Sequence, residues 1–430
     1  MRGVRIRLVL EVVATIVIAL FVVSAAQAKK GGNGGGNGGG KGGGGDEVCT
    51  DQFPSFTYLK PRERKSTTDE LYLSSSEGCF TVKLADIDAR QGPALSYNNG
   101  LGLVAWIEGS DYDLWIMRFS VDPDDGVAIT TEPELMVNTE QPEANGHLER
   151  FFGVDVWTDY SDASSPIEIV SLYSLLDFAG DGSGTAGRDL RIKLVDLPSC
   201  TSSSSCEVRT LASSTIDEAL DCMGPGPFDP SASDGQPNWR CLIANGTPKF
   251  SASGDALYFR INQPGIDADG IWRGTVRVQR PADGWWPSSG SYSDPQLVFL
   301  NTGHGSIPSR GQVVDLNLDG SLKPVIAAHA CIGMSGGVSD CRIYFLDVEA
   351  CMADPHSGWQ RCQAESLYTG QIAGFGPSWW ISSSTGEVEV IYYGWGNRYF
   401  DTIRAFDPTL NPIVNDRQLI SKGHYPNSAL

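Results

Sequence analysis

The sequence predicts an all-β fold built from one small antiparallel unit used several times over. The composition points that way first: 50 Gly, 24 Pro and 10% aromatics in 430 residues suit many short strands and many turns. Beyond the N-terminus no long stretch carries a helical period. One stretch, residues 247–260 (TPKFSASGDALYFR), spells out a whole hairpin. A proline opens it, a short apolar strand follows, and Ser253-Gly254-Asp255 forms a tight turn before a second strand over residues 256–261. Gly and Asp supply the backbone angles that such a turn needs. A lone hairpin is marginal in water, so copies of it are required to bury its faces.

The copies run along the chain in order. Residues 92–100 (GPALSYNNG) lead into Leu101-Gly102-Leu103-Val104-Ala105-Trp106-Ile107. Ile307-Pro308 leads through Gln312-Val313-Val314 and Asp319-Gly320 to residues 324–328. Gly376-Pro377-Ser378-Trp379-Trp380-Ile381 leads through Thr385-Gly386 to residues 388–393. Third strands follow at 114–119, 190–195, 275–278, 342–346 and 402–406, and fourth strands close units at 134–137, 296–300 and 417–420. Four antiparallel strands recurring at intervals of roughly 50 to 80 residues is the pattern of β-propeller blades.

The proline, strand, small-residue-Gly-Asp turn and apolar strand of residues 247–259 resemble the repeat of TolB-like six-bladed β-propellers. Phe56-Thr57-Tyr58-Leu59, followed by Asp69-Glu70-Leu71-Tyr72-Leu73 and Ser76-Glu77-Gly78, looks like the second and third strands of such a blade. The resemblance covers residue 53 to the C-terminus and implies a six-bladed propeller of four-stranded antiparallel blades. Blade three, about residues 151–211, lacks the proline. A resemblance of this kind implies a scaffold and no particular reaction.

Blade one has no proline-led inner strand of its own between the Gly-rich stretch and Phe53. The C-terminus supplies one: Gly423-His424-Tyr425-Pro426-Asn427-Ser428-Ala429-Leu430 looks like an inter-blade turn and the start of an inner strand. Residues 426–430 are therefore expected to close blade one beside residues 56–60; the alternatives are that residues 48–52 fill the slot or that the tail is disordered.

The organisation predicted is a signal peptide (1–28), a Gly-rich flexible linker (29–47) and the propeller (48–430). Arg2, Arg5 and Arg7 precede an apolar run over 12–23, and Ala26-Gln27-Ala28 is a small-x-small cleavage site. The competing reading is an uncleaved signal anchor, for which the run is short. Residues 31–45 (GGNGGGNGGGKGGGG) form a tether too poor in apolar groups to fold. Cleavage after Ala28 removes three Arg and one Glu, taking the formal charge from −20 to −22. That balance excludes nucleic acid as a partner and suits export as a soluble monomer, periplasmic or extracellular, with no membrane span after cleavage.

Ten cysteines fit an oxidising compartment. Neighbour spacing pairs Cys49 with Cys79, Cys200 with Cys206, Cys222 with Cys241, Cys331 with Cys341, and Cys351 with Cys362. Cys200–Cys206 and Cys351–Cys362 sit between third and fourth strands, and Cys331–Cys341 between a second and a third, so each bridges the base of one hairpin loop.

Few residues point to chemistry. Gly333-Met334-Ser335-Gly336-Gly337 matches G-x-S-x-G, but a nucleophile elbow needs a strand before it and a helix after it, and here strands lie on both sides. The five histidines (147, 304, 329, 356, 424) are far apart, and no catalytic residue is assigned. Asp315, Asn317 and Asp319, with Gly320, resemble a calcium loop, three oxygen side chains at alternate positions before a sharp turn. Lys323 stands where integrin-type propeller loops want another ligand, and a plain Asp-Gly hairpin turn fits the same residues, so no cofactor is expected. Trp285-Trp286, Trp379-Trp380 and Trp395 with Tyr392, Tyr393 and Tyr399 suit either inter-blade packing or stacking on sugars or peptides.

The expected function is a non-catalytic scaffold that binds a protein or small ligand through its central channel and one face. That face carries the longer loops between second and third strands, at 173–188, 262–271, 332–340 and 394–400. Enzymes that gate with such a propeller carry a hydrolase domain after it, and this chain is expected to have none. The alternative is a carbohydrate-binding protein, or a hydrolase or lyase of sugars or lactones, with its site at the channel mouth.

Overall fold

A computed structural model describes residues 54–60, 68–75, 81–88, 92–108, 112–122, 126–129, 131–137, 148–177, 188–201, 206–215, 243–244, 248–264, 271–280, 296–300, 313–318, 321–333, 339–355, 362–368, 373–381, 388–395, 401–406, 417–420 and 424–428. These residues form six antiparallel sheets, the blades of a β-propeller fold. The signal and linker segments, Cys49, Cys79, Cys222, Cys241 and Trp285-Trp286 lie outside the described residues, as does the alternative filler at 48–52.

Sheet one contains β1 (Pro54–Lys60), β2 (Asp69–Ser75) and β3 (Thr81–Ile87). Sheet two contains β4 (Ala94–Asn98), β5 (Leu101–Glu108) and β6 (Asp113–Asp122), with an outer strand in two pieces, β7 (Gly126–Ile129) and β8 (Glu134–Val137), both on β6. Sheet three is β9 (Leu148–Asp159), β10 (Ile167–Asp177), β11 (Arg188–Asp196) and β12 (Glu207–Thr215). In sheet four the inner strand is split into β13 (Ile243–Ala244) and β14 (Lys249–Phe250), both on β15 (Ala256–Pro264), and β16 (Ile271–Gln279) and β17 (Gln296–Leu300) follow.

Sheet five is β18 (Val313–Leu318), β19 (Ser321–Gly333), β20 (Ser339–Asp347) and β21 (Gln363–Tyr368). Sheet six is β22 (Ala373–Ile381), β23 (Val388–Trp395), β24 (Asp401–Phe406) and β25 (Arg417–Ile420). The last strand, β26 (His424–Ser428), returns to sheet one as its innermost member, in the order β26-β1-β2-β3. Phe56 pairs with Ser428, Thr57 with Asn427 and Leu59 with His424, so residues 424–428 fill the place expected for 426–430, starting two residues before Pro426; residues 429–430 lie outside the described residues.

Two turns show why the pattern is readable. Asn98 pairs with Leu101, leaving Asn99 (φ 51°) and Gly100 (φ 80°) as a two-residue loop with both central residues left-handed, the turn whose twist matches paired strands. Phe250 pairs with Leu257, and Gly254 takes φ 67° in the turn between them. The strands of sheets three, four and five also run into the predicted loops, to Asp177, Pro264 and Gly333. In sheet three Leu175-Leu176-Asp177 stays in register with Leu190-Asp189-Arg188, so backbone pairing persists past the point where the polar stretch begins.

The core lies in layers between consecutive sheets. Leu59, Leu71 and Leu73 pack on Val104 and the fully buried Trp106 between sheets one and two. Ala105, Ile107 and Ile116 meet Val154, Val156 and Leu172 between sheets two and three. Ile169, Ile192 and Leu194 meet Leu257, Phe259 and Val276 between three and four, and Tyr258 and Phe299 meet Ile326 and Leu346 between four and five. A sheet with only one face covered would leave this surface wet, at about 25 cal/mol per Å². Stacking sheet on sheet therefore supplies the stability that no single hairpin has.

Among the described residues an α-helix, α1 (Val348–Ala353), was not expected. Asp347 caps it, its Oδ1 accepting from the Ala350 N–H at 3.0 Å, and it fills the connection between the third and fourth strands of sheet five. Among the described residues no helix is long and apolar enough to cross a membrane.

Candidate functional site

Within each antiparallel sheet the connections alternate between two ends. One end carries the turns between first and second strands and the loops between third and fourth. The other carries the loops between second and third strands, where recognition is expected. The two ends of sheet three differ in chemistry.

The turn end is fastened by polar side chains crossing between sheets. From sheet two, Asn98 Nδ2 donates to the Thr158 carbonyl at 2.8 Å, and Asn98 Oδ1 accepts from the Tyr160 N–H at 2.9 Å. The Ser96 and Thr158 hydroxyls are 2.8 Å apart. Arg118 pairs with Glu168, Nη2 to Oε2 at 2.7 Å and Nε to both oxygens, while the Tyr160 hydroxyl donates to Glu168 Oε1 at 2.9 Å. Burial, and the neighbouring Glu168 charge, push the Tyr160 phenol well above its ordinary pKa, so it remains a donor.

Toward sheet four, Lys249 Nζ donates to Asp155 Oδ1 at 2.8 Å, and the Phe250 N–H donates to Asp155 Oδ2 at 2.9 Å. Both charged side chains are buried, at 6% and 3% exposure. Burial raises the Asp155 carboxyl, against the pull of Lys249. Trp157 completes the junction: its Nε1 donates to the Ala252 carbonyl at 3.1 Å and its ring lies under Gly254, where an added Cβ would sit 2.2 Å from the indole.

The loop end of sheet three carries an aromatic arch. The Tyr112 and Phe152 rings lie 5.0 Å apart at 53°, and Phe152 and Tyr173 lie 6.2 Å apart at 48°. The exposed Arg150 places its guanidinium carbon 5.7 Å from the Tyr112 ring centre, within cation–π range. Backbone geometry makes the arch. Tyr173 pairs with Gly153 and Ser174 with Phe151, so Phe152 is a bulge residue outside the ladder. Tyr112 is left-handed at φ 60°, rare for a bulky side chain, and its carbonyl accepts from the Phe151 N–H at 3.4 Å. Burial raises the Tyr173 phenol while nearby Arg260 lowers it. Tilted, partly exposed rings with a cation over them can stack on a sugar, an aromatic side chain or an acidic group.

The sequence-predicted candidates fall elsewhere. Asp315 and Asn317 lie in β18, paired with Pro324 and Leu322, and Leu318 pairs with Ser321. Asp319 and Gly320 lie outside the described residues. Lys323 pairs with Asp347 at 3.2 Å. Among the described residues no group of three or more His, Cys, Asp or Glu side chains is placed to hold a metal. Ser335 lies outside the described residues, between the antiparallel strands β19 and β20. Trp379 and Trp380 lie in the innermost strand of sheet six, and His329 and His424 lie in different sheets. Cys200 and Cys206 are disulfide-bonded with Cα atoms 4.0 Å apart, and Cys351 and Cys362 at 4.8 Å, each closing a connection from third to fourth strand. Cys331 and Cys341 are directly opposed partners in the β19–β20 ladder.

The arch residues were not singled out from sequence. Their one local signal is the Phe151-Phe152-Gly153 run, which puts two large rings and a flexible residue where an inner strand begins.

No protein-family model matches the sequence, and no curated protein sequence matches it. Among solved structures, TolB from Acinetobacter baumannii is 11% identical over 87% of this chain and 66% of that one, with a TM-score of 0.39. The chain thus spans just under two thirds of that TolB. A putative 6-phosphogluconolactonase from Bacteroides fragilis is 11% identical over 90% of this chain and 100% of that one, TM-score 0.37. The endo-arabinase of Bacteroides thetaiotaomicron is 11% identical over 75% and 95%, TM-score 0.40. These scores carry no argument about function; the order of paired strands carries the fold. The six antiparallel sheets agree in number and in strand pairing with the blades that the resemblance in the sequence implied.

Proposed function

We propose that the chain is an exported, non-catalytic propeller scaffold that recognises a protein or small ligand at the end of its sheets carrying the loops between second and third strands. The aromatic arch of Tyr112, Phe152 and Tyr173, with Arg150 over its outer ring, supports this reading. It combines a bulge with a left-handed non-glycine residue, and irregular backbone of that kind gathers at binding sites. The strongly interacting charges described, Arg118 with Glu168 and Lys249 with Asp155, join one sheet to the next. Two cysteine pairs at bonding distance are in keeping with an oxidising compartment, and the N-terminal segment with a cleaved signal.

The test is affinity capture from periplasmic extract and from culture supernatant with the mature chain, residues 29–430. Arg150→Ala with Phe152→Ala should lose the captured partner at least tenfold while melting within a few degrees of the parent. Equal capture by the double variant would remove the arch from recognition. Saturable turnover of an arabinan or a sugar lactone by the mature chain would replace the scaffold reading with a catalytic one.

A further inference from the structure

The aromatic arch at the loop end of sheet three carries a charge as well as rings, and the charge narrows what it can take. Arg150 is exposed, with its guanidinium carbon 5.7 Å from the Tyr112 ring centre. Arg118, Lys249 and Lys323 each meet a carboxylate, at 2.7, 2.8 and 3.2 Å. The chain has 52 Asp and Glu against 32 Lys and Arg, so carboxylates are plentiful, yet none among the described residues pairs with Arg150. Asp113, next to Tyr112 in the chain, is buried. At the other end of the arch the field of Arg260 reaches the Tyr173 phenol. The local field is therefore positive on a chain that is acidic as a whole.

The rings are half-buried, and backbone geometry sets where they stand. The bulge throws Phe152 out of the ladder, and Tyr112 is held left-handed. Their tilts, 53° between Tyr112 and Phe152 and 48° between Phe152 and Tyr173, present separate faces to a ligand and not one flat stack. An aromatic face is electron-rich and meets the C–H side of a saturated ring well. A guanidinium offers two N–H groups in one plane to a carboxylate. A ligand that uses both features needs a rigid ring and a carboxylate close together. An Asp or Glu side chain brings the charge without a face, and a neutral sugar brings the face without the charge. A uronic acid carries both on one ring.

Resting on the recognition role given to the arch, we propose that its ligand is an oligosaccharide of uronic acids. One sugar ring lies on Phe152, and its carboxylate meets the Arg150 guanidinium, which stays over Tyr112. Tyr112 thus holds the cation in place from below while leaving its planar donor edge open. The bulge and the left-handed residue fix the rings in advance, so little ordering remains for the ligand to bring about.

The test is calorimetric titration of the mature chain with trigalacturonate, with its trimethyl ester and with triglutamate. In about 0.15 M salt the charge of the rest of the chain is screened beyond about 8 Å, so the heats report the local contact. Trigalacturonate should bind saturably, about three- to tenfold tighter than the ester, the range of one exposed bidentate charge pair. Arg150→Gln should bring the acid down to the level of the ester, and Phe152→Ala should weaken both. The absence of saturable heat, equal affinities for acid and ester, or a difference that survives Arg150→Gln overturns the proposal. Triglutamate binding as tightly as trigalacturonate overturns it in favour of an acidic peptide. Should Phe152→Ala fail to fold, Arg150→Gln decides alone, because its side chain is exposed. No protein partner enters these titrations, so their failure beside retained partner capture ends the uronate assignment and leaves the scaffold reading standing.

Discussion

The two ends of sheet three use the same materials to opposite effect. At the turn end, Asn98, Thr158, Tyr160, Glu168 and Arg118 spend their hydrogen-bonding capacity on one another across the gap between sheets two and three. Lys249, Asp155 and Trp157 do the same across the next gap. At the loop end the rings of Tyr112, Phe152 and Tyr173 touch at tilted angles, and the backbone beneath them is bulged and left-handed. One end turns polar groups into registry between sheets. The other accepts local strain to hold rings at the surface. Cross-sheet fastening and partly exposed rings are thus separated along a strand pair only a dozen residues long, and substitutions at the two ends should behave differently.

The largest effect is expected at Lys249. Lys249→Met leaves the Asp155 carboxylate buried without its cation, which costs about 3–5 kcal/mol. The double variant with Asp155→Leu should recover most of that loss, since well-packed apolar replacements of a buried pair are often neutral. Urea midpoints of both variants give the answer. A single variant within 1 kcal/mol of the parent would show that the pair does not fasten sheets three and four.

Glycine separates backbone strain from crowding at the same end. Gly100→Ala keeps a left-handed residue and meets only ordinary contact, an added Cβ lying 3.5 Å from the Val121 carbonyl oxygen, and should cost about 1 kcal/mol. Gly254→Ala adds a methyl inside the Trp157 ring and should cost at least about 2 kcal/mol. Equal losses would mean that the turn lifts freely off Trp157.

Tyr112→Gly probes the loop end. Glycine removes the left-handed penalty, about 1–2 kcal/mol, and also the ring packing on Phe152. The two offset each other, so the midpoint should move by less than about 1 kcal/mol while partner capture falls. A loss above about 2 kcal/mol would make the arch part of the structural core.

The same contrast explains what was legible in the sequence. The hairpin β14–β15 announces itself because Gly254 and Asp255 sit side by side in sequence and the turn is local. The return of β26 to β1 was legible because a proline cannot continue a hydrogen-bonded interior strand yet suits an innermost one, and the tail repeats that proline-led start. Its first two residues were not, since His424 and Tyr425 precede the proline and were read as part of the inter-blade turn. The Lys249–Asp155 pair joins residues 94 apart, and nothing local to either names its partner. The arch depends on a bulge at Phe152 that skips one residue of register, and a reading of alternate positions assumes that no residue is skipped. Helix α1 is six residues long, too short for a period to show, although Asp347 three residues before Ala350 was a capping signal available in the sequence.

The smallest effect is expected in sheet one, where the charges staple strands within one blade and stay near water. Lys60 Nζ lies 2.8 Å from Glu70 Oε2, and Lys83 Nζ lies 3.2 Å from Glu70 Oε1, with the lysine side chains 43% and 38% exposed. Hydrogen bonds from Lys60 and then Lys83 lower the Glu70 pKa from 4.5 to about 2. A carboxylate lowered on folding contributes stability that is fully present above its unfolded value and is lost as pH falls through the folded one. Glu70→Gln should therefore melt below the parent at pH 7, with the gap unchanged down to about pH 5, shrinking from there and closing near pH 2. Water screens exposed pairs, so the gap at pH 7 should stay under about 1 kcal/mol and shrink further in 0.5 M salt, where charges are screened within a few ångströms. The lysine side of the same contacts is silent over this range, because Lys60 is raised above 10.5 and titrates only in alkali. Melting curves of parent and variant at half-unit steps from pH 2 to 7 follow the gap directly. A difference that stays constant to pH 2 would mean that Glu70 acts through packing of its methylenes on Tyr72 and not through charge, which would place sheet one with the buried junctions of sheets two to four.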